Sequence, residues 1–122
     1  MKDIIIMGNT PSKKNSNKIN CSRGFPQTYK TAKFKEWHKD ALKQLKEQKV
    51  PQNKLKRVDS ITMTFWKPDR RKADSTNKAQ SIEDLLVDYG FIEDDNCDVL
   101  PCIQLIYGGI SKARPRCEIE II

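Results

Sequence analysis

Apolar and polar positions alternate in a legible way along most of the chain. Ile4-Ile5-Ile6-Met7 reads as a buried strand, closed by the turn-forming Gly8-Asn9-Thr10-Pro11. Ser12-Lys13-Lys14-Asn15-Ser16-Asn17-Lys18 is polar and basic with no apolar period, and reads as a loop. From about 28 to 48 the period turns helical, with Phe34, Trp37, Ala41 and Leu45 recurring at three and four and lysines filling much of the rest. Phe34 and Trp37 read as core anchors. A loop over 50–57 leads to an alternating strand over 60–66, with Ile61, Met63 and Phe65 on one face. The stretch from Lys67 to Ala73 reads as a basic turn. A second helix is predicted over about 75–88, capped by Ser75 or Thr76 and stopped at Gly90, with Ala79, Ile82, Leu85 and Leu86 as its apolar stripe. Ile103, Leu105 and Tyr107 then alternate as a strand, Gly108-Gly109 begins a loop, and 116–122 alternates again with Cys117, Ile119 and Ile121 inward. The order β-α-β-α-β-β predicts an α+β fold, a mixed β-sheet with two principal helices packed on it, in a single domain over 1–122.

Composition bounds this picture. The chain has 122 residues, 37% hydrophobic and 32% charged, which excludes a disordered or fibrous chain and suffices for one core. Its apolar runs fall far short of the roughly 20 residues of a membrane span, so no membrane partner is expected and the expected location is the cytoplasm. Cys21, Cys97, Cys102 and Cys117 form no C-x-x-C pair and His38 is the single histidine, which leaves a structural zinc site without ligands.

Charge is unevenly distributed. Residues 1–58 carry +11 and residues 59–122 carry −4, for a net +7; within 73–98 eight acidic residues accompany one basic residue, Lys78. A basic protein with pooled acids points to a polyanion partner and a separate cation-binding spot. In the pooled segment Asp74 sits at the mouth of the second helix. Asn77, Ser81, Asp84 and Asp88 follow at spacings of three or four, on one face opposite the apolar stripe. Asp95 comes from the Glu93-Asp94-Asp95-Asn96 turn beyond it. Carboxylates brought together repel unless a cation neutralises them, and an oxygen-rich set without Cys or His suits Mg²⁺, with Mn²⁺ as a substitute. Such an ion assists displacement at a phosphodiester. The plainer reading is a capped helix and an acidic solvent-facing loop.

At this segment the chain resembles the RusA family of Holliday-junction resolvases, small endodeoxyribonucleases of phages and prophages. The likeness runs from Pro11-Ser12-Lys13-Lys14-Asn15-Ser16 through a basic helix with Tyr29 and Trp37, the Asp74-x-x-Asn77 helix start, Asp84 and the Asp94-Asp95 pair, to Arg114-Pro115-Arg116-Cys117-Glu118-Ile119-Glu120-Ile121. The resemblance implies a homodimer that binds branched DNA and nicks two opposed strands of a four-way junction with Mg²⁺, in DNA recombination and repair. It implies Asp74 and Asp95 as essential acids, Asp84 as an acid on the same helix, and Asn77 as the asparagine of the motif. Thr76 stands where the family has its second motif acid, and Gln80 where it has the motif lysine. Lys78, or Arg70, Arg71 and Lys72, are the candidates to replace that lysine.

The leading expectation is therefore a dimeric, Mg²⁺-dependent, structure-specific endonuclease. Asp74, Asp95 and Asp84 form its catalytic and metal set, supported by Asn77, Lys78 and Asp94, while Lys13, Lys14, Arg70, Arg71 and Lys72 contact phosphates. The alternative is a catalytically silent nucleic-acid-binding module on the same scaffold. A weaker third is a protein-interaction domain whose charges are merely solvated.

Overall fold

A run of β-branched and aromatic residues, Ile61–Lys67, forms the central strand β4 of a computed structural model that describes residues 3–12, 17–20, 27–30, 32–70 and 75–122, with backbone alone at 17–20, 27–30 and 75–77. Ile61, Met63 and Phe65 are buried on one face, and Thr62 and Thr64 are buried on the other. Around β4 stand β1 (Ile4–Met7), β5 (Ile103–Ile110) and β6 (Arg116–Ile121), in the order β1-β6-β4-β5. β6 is antiparallel to both β1 and β4, while β5 runs parallel to β4. The helices are α1 (Ala32–Glu47) and α2 (Ser75–Tyr89), and α2 forms the crossover that parallel strands require. The mixed sheet and two helices of the expected α+β fold are present.

Three local expectations change. Residues 17–20 and 27–30 pair as an antiparallel hairpin, β2 (Asn17–Asn20) and β3 (Gln27–Lys30), where a loop and the first helical turn were expected. Strands of four mostly polar residues are too short to show an alternating period. The strand expected to stop at Gly108 continues to Ile110 through a register shift opposite Phe65 and Trp66. A Cβ on Gly108 would lie 2.6 Å from the Trp66 ring, so the glycine is what lets the backbone pass close to the indole.

One core joins the sheet to the helices, with Ile6, Leu45, Met63, Ile82, Leu85, Leu86 and Ile119 fully buried. Phe34 is buried in the expected role, and Trp37 packs on the core while partly exposed. α2 ends as expected: Gly90 takes φ 92°, and the Phe91 and Gly90 N–H groups donate to the Leu86 and Val87 carbonyls, a Schellman closure. No helix among the described residues is long and apolar enough to cross a membrane. Cys117 is free and buried, which pushes its thiol pKa up, whereas Cys97 and Cys102 are free and exposed.

Candidate active site

Because β1 and β4 are each antiparallel to β6, they run in the same direction. Met7 and Trp66 both pair with Arg116, so both strands finish at one end of the sheet. The first turns of α2 are fastened to that end. Lys78 Nζ donates to Asn9 Oδ1 at 3.1 Å, and Ser81 Oγ donates to the Pro11 carbonyl at 2.7 Å. Ser81 is fully buried, which corrects its expected place on the polar face beside Asp84 and Asp88: a backbone carbonyl satisfies the hydroxyl and lets it face the core. Lys78 is only 6% exposed. Burial lowers its pKa from 10.5, and the charge of Lys67 lowers it further.

Other cations share this end. Lys67 Nζ lies 5.1 Å over the Tyr107 ring, and the Arg116 guanidinium stacks 4.7 Å over Trp66. Trp66 Nε1 donates to Glu118 Oε1 at 2.6 Å. Arg70 is exposed on the segment that leads towards α2. The sequence reading missed Lys67 as a member of this group; Arg116, level with Trp66, lies on the opposite face of the sheet. The alternation of β4 carried the signal, since Lys67 falls on the same face as Phe65.

The acidic residues are spread more widely. Asp84 is half-buried in a groove between the helices, lined also by Phe34, Lys35, His38, Lys39, Leu42 and Asp88. There His38 Nε2 lies 2.9 Å from Asp88 Oδ2. The Asp94-Asp95 turn stands at the opposite end of the sheet from Lys78. The Glu93 N–H bonds to the Leu55 carbonyl, the Val58 N–H to Val99, and the Ile61 N–H at the start of β4 to Cys102. Within the turn, the Asp94 carboxylate accepts the Asp95 N–H at 2.8 Å and Asn96 Nδ2 at 3.0 Å, and these bonds hold it below its usual range. Asn96 Oδ1 in turn accepts the N–H groups of Asp98 and Val99. Asp94 and Asn96 thus build the turn, and Asp95 is exposed at its tip.

Asp74, Lys13, Lys14, Arg71 and Lys72 lie outside the described residues, as does the side chain of Asn77. Among the described residues, no three acidic, His or Cys side chains close around a point that could hold an ion. The single-chain cluster is thus not assembled from Asp84, Asp94 and Asp95.

Comparison with known families supplies the class, an endodeoxyribonuclease. The family model of the endodeoxyribonuclease RusA matches residues 9–122, nearly the whole chain, and the chain belongs to that family. The family implies Holliday-junction resolvase nuclease activity on branched DNA, generally dependent on a divalent metal. No curated protein matches the chain in sequence.

Proposed function

We infer that this protein is a homodimeric, Mg²⁺-dependent endodeoxyribonuclease that resolves four-way DNA junctions by paired nicks. The observation that carries this reading, beside family membership, is the gathering of Lys67, Lys78 and Arg70 at the sheet end where α2 begins. A phosphodiester backbone seated there meets the cations of β4, of α2 and of the segment between them, next to Ser75, the residue bonded to Asp74.

The donors fit the metal in kind, since carboxylate oxygens are what Mg²⁺ and Mn²⁺ take. Among the described residues they do not meet within one chain. The 15 residues of α2 span about 22 Å, whereas carboxylates sharing one Mg²⁺ each hold it at roughly 2.1 Å. Asp74 precedes the helix and Asp95 follows it, so an ion taking both carboxylates would be held by Asp74 of one protomer and Asp95 of the partner subunit. Asp84 lies about 13.5 Å along the helix from its start, which leaves it an orienting role in the groove with His38 and Asp88. When bound, the ion supplies Lewis acidity at the phosphate and a lowered pKa for water.

The chain's own groups do the rest. Asp94 fixes the turn that presents Asp95, and the exposed basic residues hold the DNA backbone. Lys78 brings to the first turn of α2 the charge that Gln80 lacks. Gln80 is neutral and exposed.

The test is cleavage of a synthetic four-way junction with and without Mg²⁺, beside linear duplex and an Asp74→Asn protein. Paired, metal-dependent nicks confined to the junction and lost in Asp74→Asn are the expected result. Thr76 and Gln80 favour the silent binder as the second reading. Tight junction binding without cleavage in Mg²⁺ or Mn²⁺ would establish it instead.

A further inference from the structure

The two edges of the sheet are finished differently. At β1 the outer backbone is capped from within the chain. The N–H groups of Met7 and Ile5 donate to Gln44 Oε1 and Gln48 Oε1, and the two side-chain NH₂ groups donate back to the Met7 and Ile5 carbonyls. At β5, among the described residues, nothing of this kind bonds to the outer backbone. This edge is twice as long as β1, and Ile103, Ile106, Tyr107 and Ile110 stand exposed on it, at 37% to 56%.

Natural edge strands are usually guarded by charge, proline or shortness. β5, Ile103–Ile110, has none of these guards: it holds no charged side chain and no proline. In a chain of net charge +7, an uncharged edge lets two copies approach without bringing like charges into register.

We propose that the outer edge of β5 is the seam on which two copies of this chain pair, antiparallel about a two-fold axis, into one continuous eight-stranded sheet. The proposal rests on the dimeric reading above and specifies its surface. A strand pairs with its own copy about a two-fold axis only in the antiparallel sense, and that axis stands normal to the sheet, so both helix layers stay on one face. The bulge at Gly108-Gly109 confines the regular part of β5 to 103–107, which puts the axis beside Leu105. Ile103 then opposes the partner subunit's Tyr107, an aromatic–β-branched pair of the kind that stabilises cross-strand contacts. Both residues sit level with β4 positions on the helix face, Ile61 and Phe65.

The same operation reverses the partner sheet end for end. The start of α2 in one protomer comes level with the Asp95 turn of the other, which is the juxtaposition a shared ion needs. The length of α2 is met by any antiparallel seam of this kind, and edge chemistry selects β5 over β1 for it. A seam at β1 would have to displace four hydrogen bonds from Gln44 and Gln48 first.

Sedimentation equilibrium on the full chain tests this without reference to cleavage. The wild type should sediment at about 28 kDa, twice the 14.1 kDa chain. Ile103→Lys with Tyr107→Lys should weaken dimerisation by at least about a hundredfold, because four lysines then meet across the axis. Ile5→Lys, on the opposite edge, should leave the dimer intact. Tyr107→Thr keeps a strand former at an exposed position and should weaken the dimer about tenfold with an unchanged circular dichroism spectrum, which separates seam loss from misfolding. A dimer that survives both β5 variants overturns the seam and leaves the dimeric reading standing. A wild type that stays monomeric at every concentration overturns both.

Discussion

The side-chain amide of Gln44 bonds both backbone groups of Met7: the Met7 N–H reaches Oε1 at 2.7 Å, and Nε2 reaches the Met7 carbonyl at 3.1 Å. Gln48, one turn along α1, does the same for Ile5 at 3.0 and 2.7 Å. Two glutamines four residues apart thus act as a short surrogate strand, which finishes the sheet and docks α1 on β1. Replacing Gln44 by Leu leaves a part-buried N–H and C=O without partners. Urea unfolding should show a loss of about 1–3 kcal/mol, and Gln48→Leu should lose less because its bonds are more exposed.

Burial makes Lys78 a site of pH-dependent stability. Its pKa in the folded chain lies below 10.5, so charging it opposes folding, and that cost is fully present below the lowered value. As pH rises from there towards 10.5, the folded chain sheds this proton while the unfolded chain still binds it, and stability at this site rises. Lys78→Met keeps the aliphatic stem and removes the titration. Its stability advantage over the wild type should be greatest near neutral pH and shrink towards about pH 10.5 in paired denaturation curves. Junction nicking by the variant should fall about a hundredfold where Lys78 supplies transition-state charge, and wild-type turnover would remove it from that role.

Periodicity made most of the fold legible. Ile4–Met7 was readable from an unbroken apolar run, and α2 from a stripe ending at a glycine that takes φ 92°. What escaped has physical causes. The β2 and β3 strands hold four residues each, mostly polar, and are too short for a period to mark them. Ser81 looked solvent-facing because spacing cannot register a carbonyl, that of Pro11, arriving from 70 positions earlier. The burial of Lys78 was not legible for the same reason, since its partner Asn9 lies 69 positions earlier. The acidic residues were identifiable by type, but chain spacing does not reveal that the Asp95 turn and the first turns of α2 stand at opposite ends of the sheet.

Gly108 is tied to Trp66 by steric necessity. A methyl group there would lie 2.6 Å from the indole and 2.9 Å from Thr64 Cγ2. The indole has little freedom to yield, being bonded to Glu118 and stacked under Arg116. Gly108→Ala should destabilise by about 1–3 kcal/mol. In the double variant with Trp66→Phe, which frees the space on the indole side, the added cost of the alanine should fall while the contact with Thr64 keeps part of it, as a double-mutant cycle would measure.

α1 closes with a lysine where glycine is usual. Lys49 takes φ 58°, and its N–H and that of Val50 bond to the Lys46 and Leu45 carbonyls in a Schellman closure. A side chain in the left-handed region costs roughly 1–2 kcal/mol, partly offset by the greater unfolded-state entropy of glycine. Lys49→Gly should therefore stabilise the protein by about 0.5–1 kcal/mol, read as a higher urea midpoint at constant slope.

Sharing of the acidic site between protomers has a signature that no single variant gives. Asp74→Asn and Asp95→Asn should each abolish nicking alone. In a mixed dimer of the two, one interprotomer site carries both substitutions, and the other keeps an unaltered Asp74 facing an unaltered Asp95. After the two inactive proteins are unfolded, combined in equal amounts and refolded, about half of the dimers are mixed, each with one working site. Junction nicking should return to roughly a quarter of the wild-type rate per chain, as single rather than paired cuts. A site built within one chain gives no such recovery, because each chain of the mixed dimer then carries its own lesion. Recovery of single nicks would fix the division of labour between the two ends of α2, and its absence would return both carboxylates to one chain.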